Sequence, residues 1–198
     1  MDSIVFDIEI SRTVAEAGGW DATHRMGVGV ACVWEDRGER MRIYGPDDVP
    51  ALRDRILSAD RITGLNSWLF DFPVLWEINK KHWPAAVPWT DVQKTRMAER
   101  SNDLLRRMWK GLGLNPDQFS PQTHGGLTLE RVAAATLGSS SALKLMEGKD
   151  APIAFQRGEI QKVANYCADD VALTRDLMRF CDAYGYLINP KTGDKVKM

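Results

Sequence analysis

The segment SIVFDIEIS, residues Ser3–Ser11, alternates between two kinds of side chain with a period of two. One face of the alternation is wholly apolar and the other carries two carboxylates; the faces are Ile4, Phe6, Ile8 and Ile10 against Val5, Asp7 and Glu9. Alternation of β-branched and aromatic residues over this length predicts a β-strand. Because one face is entirely apolar, we expect the strand to lie in the centre of a sheet.

The elements that follow predict a mixed α/β sheet. Turn signals predict an antiparallel hairpin of two strands, Gly27–Glu35 and Glu39–Gly45. A helix over Pro50–Ala59, a strand over Ile62–Leu65 and a helix over Asp71–Lys81, with Asp71 as its N-cap, come next. An irregular stretch, Trp83–Trp89, then precedes a long helix over Val92–Gly111. Beyond these come a helix capped by Thr128 and stopped at Gly138, a helix over Glu159–Tyr184, and a small hairpin within residues 185–198. Three strands followed by helix, strand and helix are typical of a mixed sheet.

Composition narrows the class of protein. The chain has 198 residues, which predicts one domain over 1–198, and its formal net charge is −1. A net charge near zero argues against a protein that coats DNA non-specifically. Such a net charge is still compatible with a local basic face. The 3 cysteines show no CxxC spacing, and no segment has the character of a signal peptide or a membrane span. We therefore expect a reduced, cytoplasmic protein without a membrane partner.

Asp7 and Glu9 are the first candidate site residues. At positions i and i+2 of a strand, their carboxylates leave the same face and disfavour each other's ionisation. A divalent cation such as Mg²⁺ or Mn²⁺ removes that penalty, because hard carboxylate oxygens suit these ions. The alternative is an edge strand whose polar face lies in water.

Two later segments supply further candidates. Asp71 begins a predicted helix directly after a strand, where it serves at least as a helix cap. Tyr166 and Asp170 stand at i and i+4 of the last long helix and therefore share one face, whereas Asp169 points about 100° away, toward solvent. Taken singly, Tyr166 also suits a core position and Asp170 a surface position.

Together these segments resemble the three motifs of the DEDD superfamily of 3′–5′ exonucleases. The residues that match are Asp-Ile-Glu at 7–9, Asn66 through Phe70-Asp71, and Tyr166-x-x-x-Asp170-Val171. The tyrosine makes the chain similar to the DEDDy branch, which includes the proofreading domains of DNA polymerases and RNase D; the branch with histidine would carry it where Asn165 stands. The resemblance implies an RNase H-like α/β fold: a mixed sheet of about five strands, the first three antiparallel, flanked by helices. Family members commonly have threonine after the glutamate, whereas this chain has Ile10 followed by Ser11.

The resemblance also implies an activity. The implied enzyme releases nucleoside 5′-monophosphates from a 3′ end with two divalent cations, Mg²⁺ or Mn²⁺. In it Asp7 bridges the ions, Glu9 and Asp170 complete one, Asp71 helps to hold the other, and Tyr166 orients or helps to deprotonate the attacking water. We expect single-stranded DNA as substrate and a replication or repair protein as a partner. The alternatives are an RNase D-like exoribonuclease and a non-catalytic nucleic-acid-binding module.

Contacts to nucleic acid are predicted from basic and aromatic residues near the motifs. The candidates are Ile10, Ser11, Asn66, Trp68, Phe70, Arg106, Arg107, Lys110 and Lys144. A basic helix carrying Met108 and Trp109 could follow a phosphate backbone and stack a base. A solvated helix face is the alternative for the same run of charges.

Overall fold

A computed structural model of the chain describes residues 1–138 and 146–198. Its centre is a five-stranded sheet in the order β3-β2-β1-β4-β5. The strands are β1 Ser3–Ile10, β2 Val28–Glu35, β3 Arg40–Tyr44, β4 Arg61–Gly64 and β5 Ser101–Asp103. β1, β2 and β3 pair antiparallel, whereas β4 pairs parallel with β1 and β5 parallel with β4. The expected mixed sheet with its first three strands antiparallel is confirmed, and β1 is its central strand.

Helices lie on both faces of this sheet. In chain order they are α1 Val14–Ala17, α2 Val49–Ser58, α3 Asp71–Leu75, α4 Asp91–Arg100, α5 Leu104–Gly111, α6 Pro121–His124, α7 Leu129–Leu137, α8 Ala151–Gln156 and α9 Ile160–Tyr184. A separate antiparallel pair, β6 Tyr186–Ile188 with β7 Lys195–Lys197, confirms the C-terminal hairpin. None of the helices in the two described ranges combines the length and apolar character that crossing a bilayer requires.

The alternation in β1 divides the buried side chains into two clusters. Ile4, Phe6, Ile8 and Ile10 pack on one face of the sheet against α2 and α3. Val5 lies on the other face, in the cluster that includes residues of α5, α7 and α9. The face that carries Asp7 and Glu9 is therefore the face that α9 covers.

The predicted helix over Val92–Gly111 is wrong, because the chain forms α4, β5 and α5 there. Ser101–Asp103 pairs with Ile62–Gly64 as the outermost strand, and Asp103 caps α5 by accepting hydrogen bonds from the N–H groups of Leu105 and Arg106. Pairing with a neighbouring strand outweighs the helical pattern of the local sequence.

The helix predicted over Asp71–Lys81 is correct in place and too long. α3 ends at Leu75, and the left-handed backbone of Glu77, with φ of 55°, prevents its continuation. Asp71 is its first residue rather than its N-cap, which is Phe70. This difference matters for the site, because the Asp71 side chain is buried among the other acids rather than serving as the N-cap of α3.

Candidate active site

Asp7 and Glu9 point from the central strand into the space between the sheet and α9. Asp7 stands opposite Cys32 of β2 and Glu9 opposite Val30, and the register shifts between Glu9 and Ile10. Such an irregularity bends a strand and changes the direction in which its side chains leave. Glu9 is only 7% exposed, so the expectation of a solvated edge strand is excluded.

The turn after β4 brings Asp71 to the same place. Gly64 ends β4 where an added Cβ would lie 2.7 Å from that of Ser67, so only glycine fits. Asn66 then adopts a left-handed conformation, with φ of 67°, which asparagine tolerates better than most residues. The Asp71 side chain is buried and accepts a hydrogen bond from the N–H of Ile8, which ties the turn to β1.

α9 supplies the last two predicted side chains. Tyr166 is buried and its hydroxyl donates a hydrogen bond to the Asp170 carboxylate, which confirms that the two share a helix face. Asp169 is exposed, as its angular position predicts. The structure therefore brings Asp7, Glu9, Asp71, Tyr166 and Asp170 together from three segments of the chain.

The electrostatics show that the four acids act on one another. Burial raises the pKa of Asp7, and the carboxylates of Asp71, Glu9 and Asp170 raise it further. Burial likewise raises the pKa of Glu9, with added repulsion from Asp170 and Asp71. The pKa of Asp71 rises to about 8, again mainly through burial and then through the charge of Asp103. Burial raises the pKa of Tyr166 above its usual range, as does the Asp170 charge, so this hydroxyl stays protonated at neutral pH.

The donor set suits a hard divalent cation. Ligand atoms of Asp7, Glu9 and Cys167 lie within 4.8 Å of one another. The carboxylate oxygens of Asp7 and Glu9 are hard donors, which Mg²⁺ and Mn²⁺ prefer, whereas the Cys167 sulfur is a soft donor. A bound cation would offset the mutual repulsion of the acids.

A groove of about 500 Å³ opens beside the acids. Its lining includes Glu9, Ile10, Asn66 and Phe70, together with Trp20, whose ring is 65% exposed and 6.1 Å from that of Phe70. The lining also includes Gly148 and Lys149, in the turn just before α8. An aromatic pair at the mouth of a groove is suited to stacking a nucleobase.

The remaining predicted nucleic-acid contacts occupy different settings. The Ser11 hydroxyl donates to the carbonyl of Met26 at 3.0 Å. Trp68 is half-buried and packs edge-on against Phe72, with the Arg106 guanidinium 5.6 Å from its ring. Lys110 is exposed.

Two of the residues in the predicted basic helix do not face solvent. Met108 and Trp109 are buried, and the Trp109 indole donates to the carbonyl of His124, so the prediction that they meet a nucleic acid is wrong. They face the core because α5 turns its apolar side toward the sheet. Lys144 lies outside the described residues.

The sequence analysis did not identify three residues at this site, namely Asp103, Cys167 and Trp20. Asp103 is buried, and its carboxylate accepts hydrogen bonds from the N–H groups of Asn66 and Trp68 at 3.0 and 2.9 Å. An aspartate just before an apolar periodic segment is a capping signal that could have located it. Cys167 lies 3.4 Å from the Asp7 carbonyl oxygen, and its place between Tyr166 and Asp170 on one helix was the only hint. Trp20 carried no local signal.

Comparisons with known proteins support the fold. No family model and no curated protein sequence matches the chain. Among solved structures, the chain is similar to the family B DNA polymerase from the hyperthermophilic archaeon Pyrobaculum calidifontis, with a TM-score of 0.59 and 21% sequence identity. The likeness covers 91% of this chain, which spans about a quarter (24%) of the polymerase chain. The expected RNase H-like α/β fold is thereby confirmed.

Proposed function

We propose that the chain is a metal-dependent 3′–5′ exonuclease that acts on single-stranded nucleic acid. The observation that carries the proposal is the convergence of four acids and a tyrosine, from three distant segments, beside an open groove. Burying mutually repelling carboxylates costs stability, and a fold retains such a cluster most readily where a cation uses it. The similarity to a DNA polymerase structure supports the same class of substrate.

In this proposal, each of the four acids would bind one or both of two metal ions. Asp7 would bridge two sites, Glu9 and Asp170 would complete one, and Asp71 would help to hold the other. Two divalent cations, Mg²⁺ or Mn²⁺, would supply the activation of water and the neutralisation of charge on the phosphate. Each of these side chains must be ionised to serve, so their raised pKa values would fall when the cations bind.

Tyr166 would orient the attacking water. Its hydroxyl is protonated at neutral pH and donates to Asp170, so its oxygen would interact with the water as an acceptor. The scissile phosphate would lie against the acids, with the terminal nucleotide in the groove that Trp20 and Phe70 line. Attack on the phosphorus from the side opposite the 3′-oxygen would release a nucleoside 5′-monophosphate and leave a new 3′-hydroxyl.

Single-stranded DNA is the preferred substrate in this proposal, because the structural likeness is to a DNA polymerase. An RNase D-like exoribonuclease is the runner-up. Distinguishing the two depends on contacts to the 2′-hydroxyl. The proposed enzyme would work with a replication or repair protein.

The test uses DNA and RNA single strands of one sequence, each labelled at the 3′ or the 5′ end, with Mg²⁺, Mn²⁺ or EDTA. Asp7→Asn and Asp170→Asn should each slow cleavage by about 10³-fold, the effect of several kcal/mol of lost metal-ion catalysis. Asp169→Asn is the matched control, since Asp169 is the exposed neighbour of Asp170, and it should cleave at the wild-type rate.

The outcomes separate the alternatives. A metal-dependent ladder that shortens from the 3′ end, and is lost in both site variants, supports the exonuclease and identifies the sugar. Wild-type binding without cleavage of any strand would instead identify a non-catalytic binding module. Equal activity in Asp170→Asn and Asp169→Asn would refute the assignment of the site.

A further inference from the structure

A second pocket lies at the β5 edge of the sheet, and none of the four proposed metal ligands or Tyr166 lines it. It is a cavity of about 180 Å³ lined by Trp68, Ala98, Ser101, Asp103, Arg106, Arg107 and Lys110. Three of these residues are cations on α5, and Arg106 and Lys110 stand at i and i+4 on one face of that helix. In a chain whose formal net charge is −1, this pocket is a local concentration of positive charge.

The acids near the pocket, Asp103 and Asp117, offset only part of this charge, since three cations face them. Asp103 directs its carboxylate inward, to the N–H groups of Asn66, Trp68, Leu105 and Arg106. Asp117 pairs with Arg106 at 2.8 Å, but its side chain is 69% exposed, so water competes with the pair and weakens it. Lys110 is exposed and makes no ion pair within residues 1–138 and 146–198.

Two polar groups in the pocket wall lack acceptors. Among the described residues, the Arg106 Nη1 and the Ser101 Oγ are buried and make no hydrogen bond. Arg106 therefore has donor capacity that its one surface partner leaves unused, and turning toward an anion would satisfy it. A phosphodiester offers acceptor oxygens and negative charge, which guanidinium groups bind in bidentate fashion.

The pocket and the acidic groove flank the same turn. Asn66 and Phe70 line the groove, Trp68 lines the pocket, and Asp103 holds the turn by two of its backbone N–H groups. A strand whose last nucleotide lies in the groove must leave it across one of its walls, and the cations of the pocket lie directly beyond the wall that the 66–70 turn forms.

We propose that the pocket formed by Trp68, Ser101, Arg106, Arg107 and Lys110 binds a backbone phosphate of the single strand whose 3′ end occupies the groove. The proposal rests on the proposed function for the identity of the strand. It assigns Arg106 and Lys110 to phosphate binding, and it makes Trp68 the floor of the pocket rather than a platform for a base.

The test measures binding without cleavage. A fluorescent single-stranded oligodeoxythymidylate of about a dozen nucleotides is titrated in EDTA at several salt concentrations, with anisotropy as the readout. Arg106→Gln/Lys110→Gln should bind about tenfold more weakly, and the slope of log K against log salt should decrease by about 0.7, the value for one lost phosphate contact on a single strand. Lys110→Glu alone, at an exposed position, should reduce binding in the same direction and guards against misfolding of the double variant.

The control is Arg37→Gln/Arg179→Gln, which removes the same charge from the opposite, β3 side of the molecule. The proposal is overturned if the slope of log K against log salt is equal in the pocket variants and the control. It is also overturned if the wild type does not bind the oligonucleotide in EDTA. Because this assay contains no metal, a failure of the proposed exonuclease appears separately, as absent cleavage in the labelled-strand assay.

Discussion

At the scale of single residues, Tyr166 has the most specific part in the proposed chemistry. Its hydroxyl is the only non-carboxylate group that the family resemblance places at the site, and it is held by a hydrogen bond to Asp170. Tyr166→Phe should lower the rate of cleavage by about 10²-fold, the lower end for loss of a group that positions a proton transfer. Metal affinity should fall by about tenfold at most, because no ligand is removed and only the hydrogen bond to Asp170 is lost.

Initial rates with saturating Mn²⁺ and calorimetric titration of the metal check this prediction. Tyr184→Phe is the matched control, since Tyr184 lies 64% exposed at the end of the same helix. A Tyr166→Phe enzyme as fast as this control would remove the tyrosine from the mechanism.

The residues that the sequence indicates best are those whose position a local period fixes. Asp7 and Glu9 share a face because strands repeat every two residues, and Tyr166 meets Asp170 because helices bring i and i+4 together. Trp20 and Cys167 lie at the site because of tertiary packing, so a period in the sequence does not identify them as site residues. The same limit hid Asp103, whose four bonded donors come from two segments of the chain.

At the scale of elements, Asp103 joins the turn after β4 to the start of α5. Asp103→Ala leaves four backbone N–H groups without their acceptor and should lower the free energy of unfolding by about 3 kcal/mol. Asp103→Asn keeps one acceptor oxygen and should cost less. Urea denaturation measures both differences.

Thr128→Ala provides the comparison for a helix cap. Thr128 occupies the N-cap of α7 but makes no capping hydrogen bond, so its loss should change stability by less than about 0.5 kcal/mol. Equal effects of Asp103→Ala and Thr128→Ala would contradict the role given to Asp103.

The helix predicted over Val92–Gly111 shows why the local sequence does not predict the boundaries of every helix and strand. Both halves have helical patterns, and only the pairing of Ser101–Asp103 with β4 separates them. β5 has three residues, too few for an alternation to show. The long elements β1, β2 and α9 were predictable because their patterns persist over many residues.

At the scale of the whole molecule, Glu35 holds distant segments together far from the candidate site. Its carboxylate accepts from Arg40 and Arg42 of β3 at 2.6 and 3.0 Å and from Arg55 of α2 at 2.8 Å. Arg55 also pairs with Asp2 at 2.8 Å. Burial opposes ionisation of Glu35, but the hydrogen bonds from the arginines outweigh it and lower its pKa from 4.5 to about 2.

This lowered pKa predicts a defined dependence of stability on acid. The ionised form is favoured by folding, so the stabilisation is complete above pH 4.5 and is lost as the pH falls through about 2. Glu35→Gln should lower the free energy of unfolding by about 2 kcal/mol at neutral pH, the worth of hydrogen bonds to a charged group. Its difference from the wild type should shrink between pH 4.5 and 2 in thermal melts. Glu99→Gln, at an exposed position, is the control, and a difference that stays constant with pH would contradict the network.

The order of the segments along the chain bears on the protein during its synthesis. β1 is translated before the other segments of the site, and the groups that accompany Asp7 come later, from α3 and then from α9. A nascent chain therefore lacks part of the acidic constellation until residue 170 has been translated and α9 has packed onto the sheet. Premature termination or cleavage before α9 leaves no fragment with the full set of four acids, so the proposed activity would be absent from any such fragment.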